Sequence, residues 1–307
     1  MALTDTSALA GLVTLAYDQA VSNKNRHRVM LRDLPDKHLV DPTHVGNSYR
    51  LEFYSDLAES SAALTESTDT TAVALPNTTP VDVTIAEWGR TVTKTRKLEL
   101  TSLAKVDPII VNVLARDQAV SLDNEVGAIA YGGTHVVRAA GRTSTGTVAA
   151  TDVMKAADYR QIITNLRENA AMPRREEDYA VYLHPRQALD LRTETGANAW
   201  RDDHKYAAPD LFWAGETGQY EGGFTIESAR MKKANDGASS ATVYRALFVG
   251  MEALAEVVWE APHTVIGPVV DNLQRFRPIS WYGALNWAIY RQDNLYRYES
   301  SASTVLS

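Results

Sequence analysis

The chain has 307 residues, a net charge of −7, 45% hydrophobic and 22% charged residues, and no cysteine. That length carries a prior of about two domains, with ample apolar material for a core. The acidic balance argues against a surface that attracts nucleic acid globally. The missing cysteines exclude disulfides, thiolate metal sites and cysteine nucleophiles.

In chain order, Asp5 or Thr6 caps a first helix, with Leu9, Leu12, Val13, Ala16, Tyr17 and Ala20 on one face. This start lacks the basic region of a signal peptide, and no stretch approaches the length of a membrane span. Lys24, Arg26, Arg28 and Arg32 follow, then polar chain to Gly46. Residues 1–46 contain little that builds a core. They read as an arm, which needs another surface to lie on.

Ser48 to Leu57 alternates and predicts a strand. Ala58 to Pro80 is rich in Ser and Thr and predicts a long exposed loop. Val81, Val83 and Ile85 alternate with polar neighbours, and Thr91 to Leu100 continues the β pattern after Gly89-Arg90. The two together predict a hairpin. A lone hairpin is marginal in water, so this one is expected to lean on something outside its subunit.

Val106 to Gly133 predicts the longest helix, opened by Asp107-Pro108 and stopped by Gly132-Gly133. It would be a rod of about 36 Å. Val106, Ile109, Ile110, Val113 and Val120 form one apolar stripe; Val111, Ala115, Leu122, Val126 and Ile129 form another nearly opposite. Two opposed stripes predict a strut pressed between two layers, without a constellation of acids or bases of its own.

Next come a strand near Thr134 to Ala140, a helix capped by Thr151-Asp152 and running to about Asn169, and a charged linker from Pro173 to Asp178. Tyr179 to Leu183 predicts a buried strand stopped by His184-Pro185, and Arg186 to Thr195 a helix. Gly215, Gly218, Gly222 and Gly223 precede another strand. Met231 to Ala241 predicts a solvated loop, Tyr244 to Gly250 a strand, Met251 to Ala255 a helical turn and Val257 to Trp259 a strand. Val269 to Ser300 predicts one long β return, with Trp281, Gly283, Leu285, Trp287 and Ile289 on one face and a high density of aromatics. The order is that of an α+β protein, one domain interrupted by a second.

Catalytic patterns are weak. None of the seven histidines stands in an HExxH or His-x-His arrangement. Asp202-Asp203-His204 is the one sequence-local metal candidate, more simply a solvated turn, and His184 more simply closes a strand. The glycines from Gly215 to Gly223 precede a strand, whereas a phosphate loop follows one and opens a helix. They fit a tight turn. Glu176-Glu177-Asp178 reads as a solvated run. The basic clusters Lys24/Arg26/Arg28, Lys94/Arg96/Lys97, Arg174/Arg175 and Lys232/Lys233 are small and scattered. No catalytic, cofactor or metal residue is assigned, and no enzymatic role is expected.

An arm, an extended excursion, a strut helix, an inserted α/β segment and an aromatic β return, in that order, resemble the major capsid proteins of tailed bacteriophages, the Hong Kong 97-type fold. Thr84-Ile85-Ala86-Glu87-Trp88-Gly89-Arg90 and the strand after it resemble that family's extended-loop return. Asp107-Pro108 resembles the opening of its spine helix, and Tyr182-Leu183-His184-Pro185 its strand ending in His-Pro. Gly215 to Gly218 with Gly222 to Ser228 resembles its glycine block, and Leu247-Phe248-Val249-Gly250 also fits. The resemblance spans about Gly46 to Ser300. It implies an N-terminal arm (1–46), a peripheral-domain strand (47–57), an extended loop (58–100), a peripheral domain with the spine helix (101–178), an axial domain (179–268) and a peripheral return strand with the C-terminus (269–307). It implies a structural subunit of the virion. This would self-assemble through hexamers and pentamers into an icosahedral head around double-stranded DNA, in the bacterial host cytoplasm, with a portal and decoration proteins as partners. An arm that begins almost at Met1 favours a separate scaffolding protein. Some family members crosslink through Lys and Asn; Lys94 and Lys97 lie near the excursion, but no partner Asn is identifiable and no crosslink is assigned. Two alternatives stand: an encapsulin-like compartment shell, and a soluble α/β hydrolase or metalloenzyme using His184 or Asp202 to His204.

Overall fold

Alternating apolar residues build two sheets, and one helix spans both. The computed structural model describes residues 30–41, 46–52, 54, 57–60, 63–64, 66–67, 69–70, 72–74, 80–102, 106–175, 177–196, 218–269 and 271–303. The helix expected over 5–20, the cluster Lys24/Arg26/Arg28 and the group Asp202 to His204 lie outside the described residues.

The first sheet has four strands in the order β1 (Asp36–Leu39), β11 (Leu254–Ile266), β12 (Phe276–Ile289), β4 (Glu87–Thr95). β1 runs parallel to β11, and the other pairings are antiparallel. The second sheet has seven strands: β5 (Val136–Arg138), β13 (Leu295–Ser300), β10 (Val243–Val249), β6 (Tyr179–Leu183), β8 (Gly223–Glu227) and β7 (Gln219–Tyr220) in that order, with β9 (Lys233–Ala234) beside β10. A two-stranded sheet of β2 (Ser48–Leu51) and β3 (Val81–Thr84) completes the set. The helices are α1 (Arg96–Thr101), α2 (Val106–Ala130), α3 (Ala156–Glu168) and α4 (Pro185–Thr193). The architecture is mixed α+β, as expected.

α2 is the predicted strut, and one core wraps it. Leu114, Leu122, Val126 and Ala130 are buried against Ile279, Trp281, Leu285 and Trp287 of β12 and against Tyr182, Leu247 and Val249 of the seven-stranded sheet. A second core sits on the other face of that sheet, where Val181, Leu183 and Phe248 meet Tyr159, Ile162, Ile163 and Leu166 of α3 and Leu191 of α4. A third, smaller cluster seats β2 and β3 on the back of β11 through Leu51, Val83, Ala255 and Val257. The alternation Val181/Tyr182 and Leu247/Phe248 is therefore two-sided burial of a central strand.

Several local expectations change. β3 does not pair with β4: β3 pairs with β2, and β4 pairs with β12 from Glu87 to Thr95. The expected freestanding hairpin is instead two strands, each supported inside the subunit. Gly89 fits because a Cβ there would lie 2.7 Å from the Trp281 carbonyl oxygen of the neighbouring strand. The β pattern after it stops at Thr95, whose Oγ1 accepts the Leu98 N–H (3.3 Å) and caps α1. α3 starts at Ala156, later than expected, because the Asp152 carboxylate is taken by the Ala149 N–H (2.8 Å) and by Arg142, and it closes a turn instead of a helix. Residues Leu254 to Ala255 belong to β11, after a turn at Met251-Glu252 in which Glu252 has φ 57°. Met231 is buried under the Tyr131 hydroxyl and is not part of a solvated loop. The β return is two strands in different sheets: after Ile289, a turn at Gln292–Asn294 carries the chain from β12 to β13.

Candidate functional site

The stripe of α2 that holds Ile109 and Val113 is left open near the start of the helix, whereas Leu122 and Val126 of the opposite stripe are buried. Ile109 and Val113 are 42% and 52% exposed, while Ile110 of the same stripe packs against the core. More apolar surface gathers where β4, α1 and the β11–β12 hairpin end together. The backbone N–H of Arg96 donates to the Arg275 carbonyl (2.8 Å), which ties α1 to the chain just before β12, on the far side of the hairpin tip. Leu98, Leu100, Ile266, Val269, Leu273 and Phe276 are all exposed there. Large apolar groups left open in this number mark surfaces for contact with another chain. Every described residue between Glu52 and Pro80 is also exposed.

The chain enters this body through one clamp. Asp123, on the core face of α2 and 2% exposed, accepts the backbone N–H groups of Met30 (3.1 Å), Leu31 (2.6 Å) and Arg32 (3.3 Å) on Oδ1. Its Oδ2 accepts from Arg230 Nε at 3.4 Å. Leu31 and Leu34 then enter the core beside α2, and β1 adds to the edge of β11. Arg174 donates to the Asp33 carbonyl (3.0 Å), and Asp36 accepts the Glu252 N–H (2.9 Å). The strut thus carries an acid with a structural task, which the reading of its stripes missed. The signal was in the sequence: Asp123 stands at helical spacing with Val126 and Ala130, where an apolar residue belongs.

Two buried carboxylates behave oppositely. Glu299 on β13 meets Arg138 Nε (2.9 Å), Arg245 Nε (3.2 Å), Arg297 Nε (3.2 Å) and the Thr145 hydroxyl (2.7 Å). Burial works to raise its pKa, but the Thr145 hydrogen bond and the three guanidinium groups outweigh it and hold the carboxyl below its ordinary value. Glu256 on β11 is fully buried, and neither of its oxygens has a hydrogen bond among the described residues; the Arg32 guanidinium lies 3.6 Å away.

Of the residues weighed for catalysis, His184 lies among the described residues and has a structural role. His184 caps α4: its Nδ1 accepts the Arg186 N–H (3.2 Å), and its ring packs 4.6 Å from that of Tyr244. Burial first, and then Lys233 and Arg186, depress its pKa to about 4. Gly222, with φ +84°, makes the tight turn between β7 and β8. Gly218 accepts the Thr225 N–H on its carbonyl (3.0 Å), a contact of that same hairpin. Lys94 is buried and paired with Asp107 and Glu99, whereas Lys97 is exposed. Arg175 lies over the Phe224 ring and Lys232 over the Tyr131 ring. Among the described residues no group of three or more His, Asp or Glu is placed to hold a metal ion.

The chain is similar from end to end to solved structures of phage capsids. It superposes on the capsid of cyanophage P-SCSP1u with a TM-score of 0.72 and 14% identity, covering 95% of this chain and 94% of that one. The phage capsid fold is this chain's fold. The capsid of Ralstonia phage GP4 matches with a TM-score of 0.71 at 12% identity over 96% and 99% of the two chains. The acid-stable capsid of Helicobacter pylori bacteriophage KHP30 matches with 0.71 at 11% identity over 98% of each. No protein-family model matches the sequence, and no curated protein does either. At this identity the capsid fold persists where the sequence that spells it has changed almost entirely.

Proposed function

We propose that the chain is the major capsid protein of a tailed phage, a structural subunit that closes with copies of itself into an icosahedral head around double-stranded DNA. The observation that carries this reading is the end-to-end likeness to capsid subunits, which leaves almost no part of either chain over. The open surfaces support it. A subunit that exposes Ile109 and Val113 on its longest helix, and six apolar side chains at one hairpin tip, is suited to burial by neighbours. In this reading α2 is the spine, residues 1–46 are the arm, 58–100 the extended loop and 179–268 the axial segment, whose β6 to β10 lie in the seven-stranded sheet and whose β11 lies in the four-stranded one. The remaining stretches, 47–57, 101–178 and 269–307, make the peripheral part. The work of the molecule is geometric, not catalytic, and its place is the virion, reached by assembly in the host cytoplasm with a scaffolding protein and a portal.

Electron microscopy of the purified chain tests this. Closed shells or capsomer rings are expected as protein concentration rises, with or without a co-expressed scaffolding protein. Monodisperse monomers under every such condition would sink the reading.

A further inference from the structure

A recess of about 450 Å³ opens between the start of α4 and the β9–β10 ladder, lined by Arg186, Lys233, Ala234, Asn235, Thr242 and Tyr244. No carboxylate lines it, and among the described residues neither Arg186 nor Lys233 has an ion-pair partner. Most described arginines are ion-paired, so Arg186 belongs to the minority left open in a chain of net charge −7. The donors are arranged for an incoming acceptor. Arg186 Nη1 donates to the Tyr244 hydroxyl oxygen (3.3 Å), so the proton of that hydroxyl stays free to donate. Thr242 donates to the Asn235 side-chain carbonyl (2.8 Å), which leaves the Asn235 amide N–H groups unspent. The rear of the recess senses its charge: Lys233 and Arg186 help to keep the neighbouring His184 ring neutral.

We propose that this recess is a binding site for a phosphate-type oxyanion, held by Arg186 and Lys233 and hydrogen-bonded by Tyr244 and Asn235. Donors on several sides suit a tetrahedral group with three or more acceptor oxygens better than a carboxylate with two. The phosphate can be free or part of a nucleic-acid backbone. Only the second source rests on the capsid reading, since binding of the free ion needs no shell.

The test uses the unassembled full chain. Inorganic phosphate is titrated while the His184 ring is followed by NMR, and a short DNA duplex is then added as competitor. Saturable binding is expected, with the His184 pKa rising as an anion offsets the two cations. Lys233→Ala, a change at an exposed side chain, and Lys233→Ala with Arg186→Gln are expected to weaken binding at least tenfold, with unchanged thermal unfolding. Competition by the duplex identifies a backbone phosphate as the source, and phosphate binding without competition identifies the free ion; both uphold the site. Absence of a saturable response, or one unchanged in the double variant, overturns it. So does a Lys233 that binds no phosphate and is shielded from amine acylation only in assembled, nucleic-acid-free shells, because the recess then takes an acidic side chain of a second copy. Assembly is scored separately by microscopy, so failure of the site and failure of the capsid reading give different results.

Discussion

Two glutamates show that burial alone does not fix what a charge does. Glu299 is 1% exposed and fully engaged by three arginines and a threonine. Glu299→Gln removes the charge shared by three guanidinium groups, of which only Arg245 keeps another carboxylate, Asp236, so it is expected to cost about 3–5 kcal/mol in urea unfolding. Glu256 is as deeply buried but accepts no hydrogen bond among the described residues, with Arg32 at 3.6 Å as its ion-pair partner. Desolvation there is poorly offset, and Arg32 is 28% exposed and can turn toward water. Glu256→Gln is expected to raise stability by about 1 kcal/mol in the same measurement. Equal losses at both sites would show that the packing, not the hydrogen bonding, sets the balance. His184 gives a pH dependence with a definite sign. Its folded pKa of about 4 lies below the ordinary 6.5, so folding favours the neutral ring. The contribution is full above about pH 6.5 and is lost as pH falls toward 4, up to about 3 kcal/mol. His184→Asn keeps an acceptor at the helix cap, so the variant's stability is expected to fall less than the wild type's between pH 6.5 and 4. Parallel curves would remove His184 from the account.

At the scale of elements, the clamp on α2 fixes residues 30–32 to the helix. Asp123 holds three consecutive N–H groups that no helix or strand satisfies. Asp123→Ala frees all three next to buried Leu31, at an expected cost of about 2–4 kcal/mol. Hydrogen exchange at residues 30–34 is expected to rise by far more than exchange in α3, which shares no contact with the clamp. Uniform acceleration across both would mean that Asp123 supports the whole fold, not the clamp alone. The sequence made α2 legible because Pro108 and Gly132-Gly133 mark its ends and its apolar spacing is regular. It made Tyr179–Leu183 legible because an unbroken apolar run of that length fits a central strand. It did not reveal partners. Val81 and Val83 alternate in the same way whether β3 pairs with β4 or with β2, and only the three-dimensional seat on Ala255 and Val257 decides. The Glu299 cluster was equally hidden, since its arginines come from β5, β10 and β13 and meet only when the sheet forms. A local pattern encodes an element; a site assembled across 160 residues leaves no local pattern.

For the whole molecule, the question is which exposed parts belong to the fold and which to the shell. Removing 58–100 would not separate the two, because it takes away β4, whose Trp88 donates its indole N–H to the Leu285 carbonyl (2.9 Å), and Val83, part of the third core. The dividing line is narrower. Leu51 and Val81 face each other at the end of the β2–β3 ladder, so the chain between them closes on itself. Every described residue in that interval from Glu52 to Pro80 is exposed, Leu57, Leu64 and Val73 among them. Replacing residues 54–79 by a Gly/Ser linker of about four residues keeps the ladder and shortens only the loop. The variant is expected to unfold within about 1 kcal/mol of the wild type, since none of the described side chains it removes is buried. It is also expected to fail to close shells, because apolar groups held on so long a loop have a use only against another subunit. Circular dichroism with urea unfolding reads the first expectation and electron microscopy the second. A variant as stable as the wild type that still forms complete shells would show that this loop is dispensable for assembly. The open stripe on α2 and the hairpin tip would then have to hold the shell together without it.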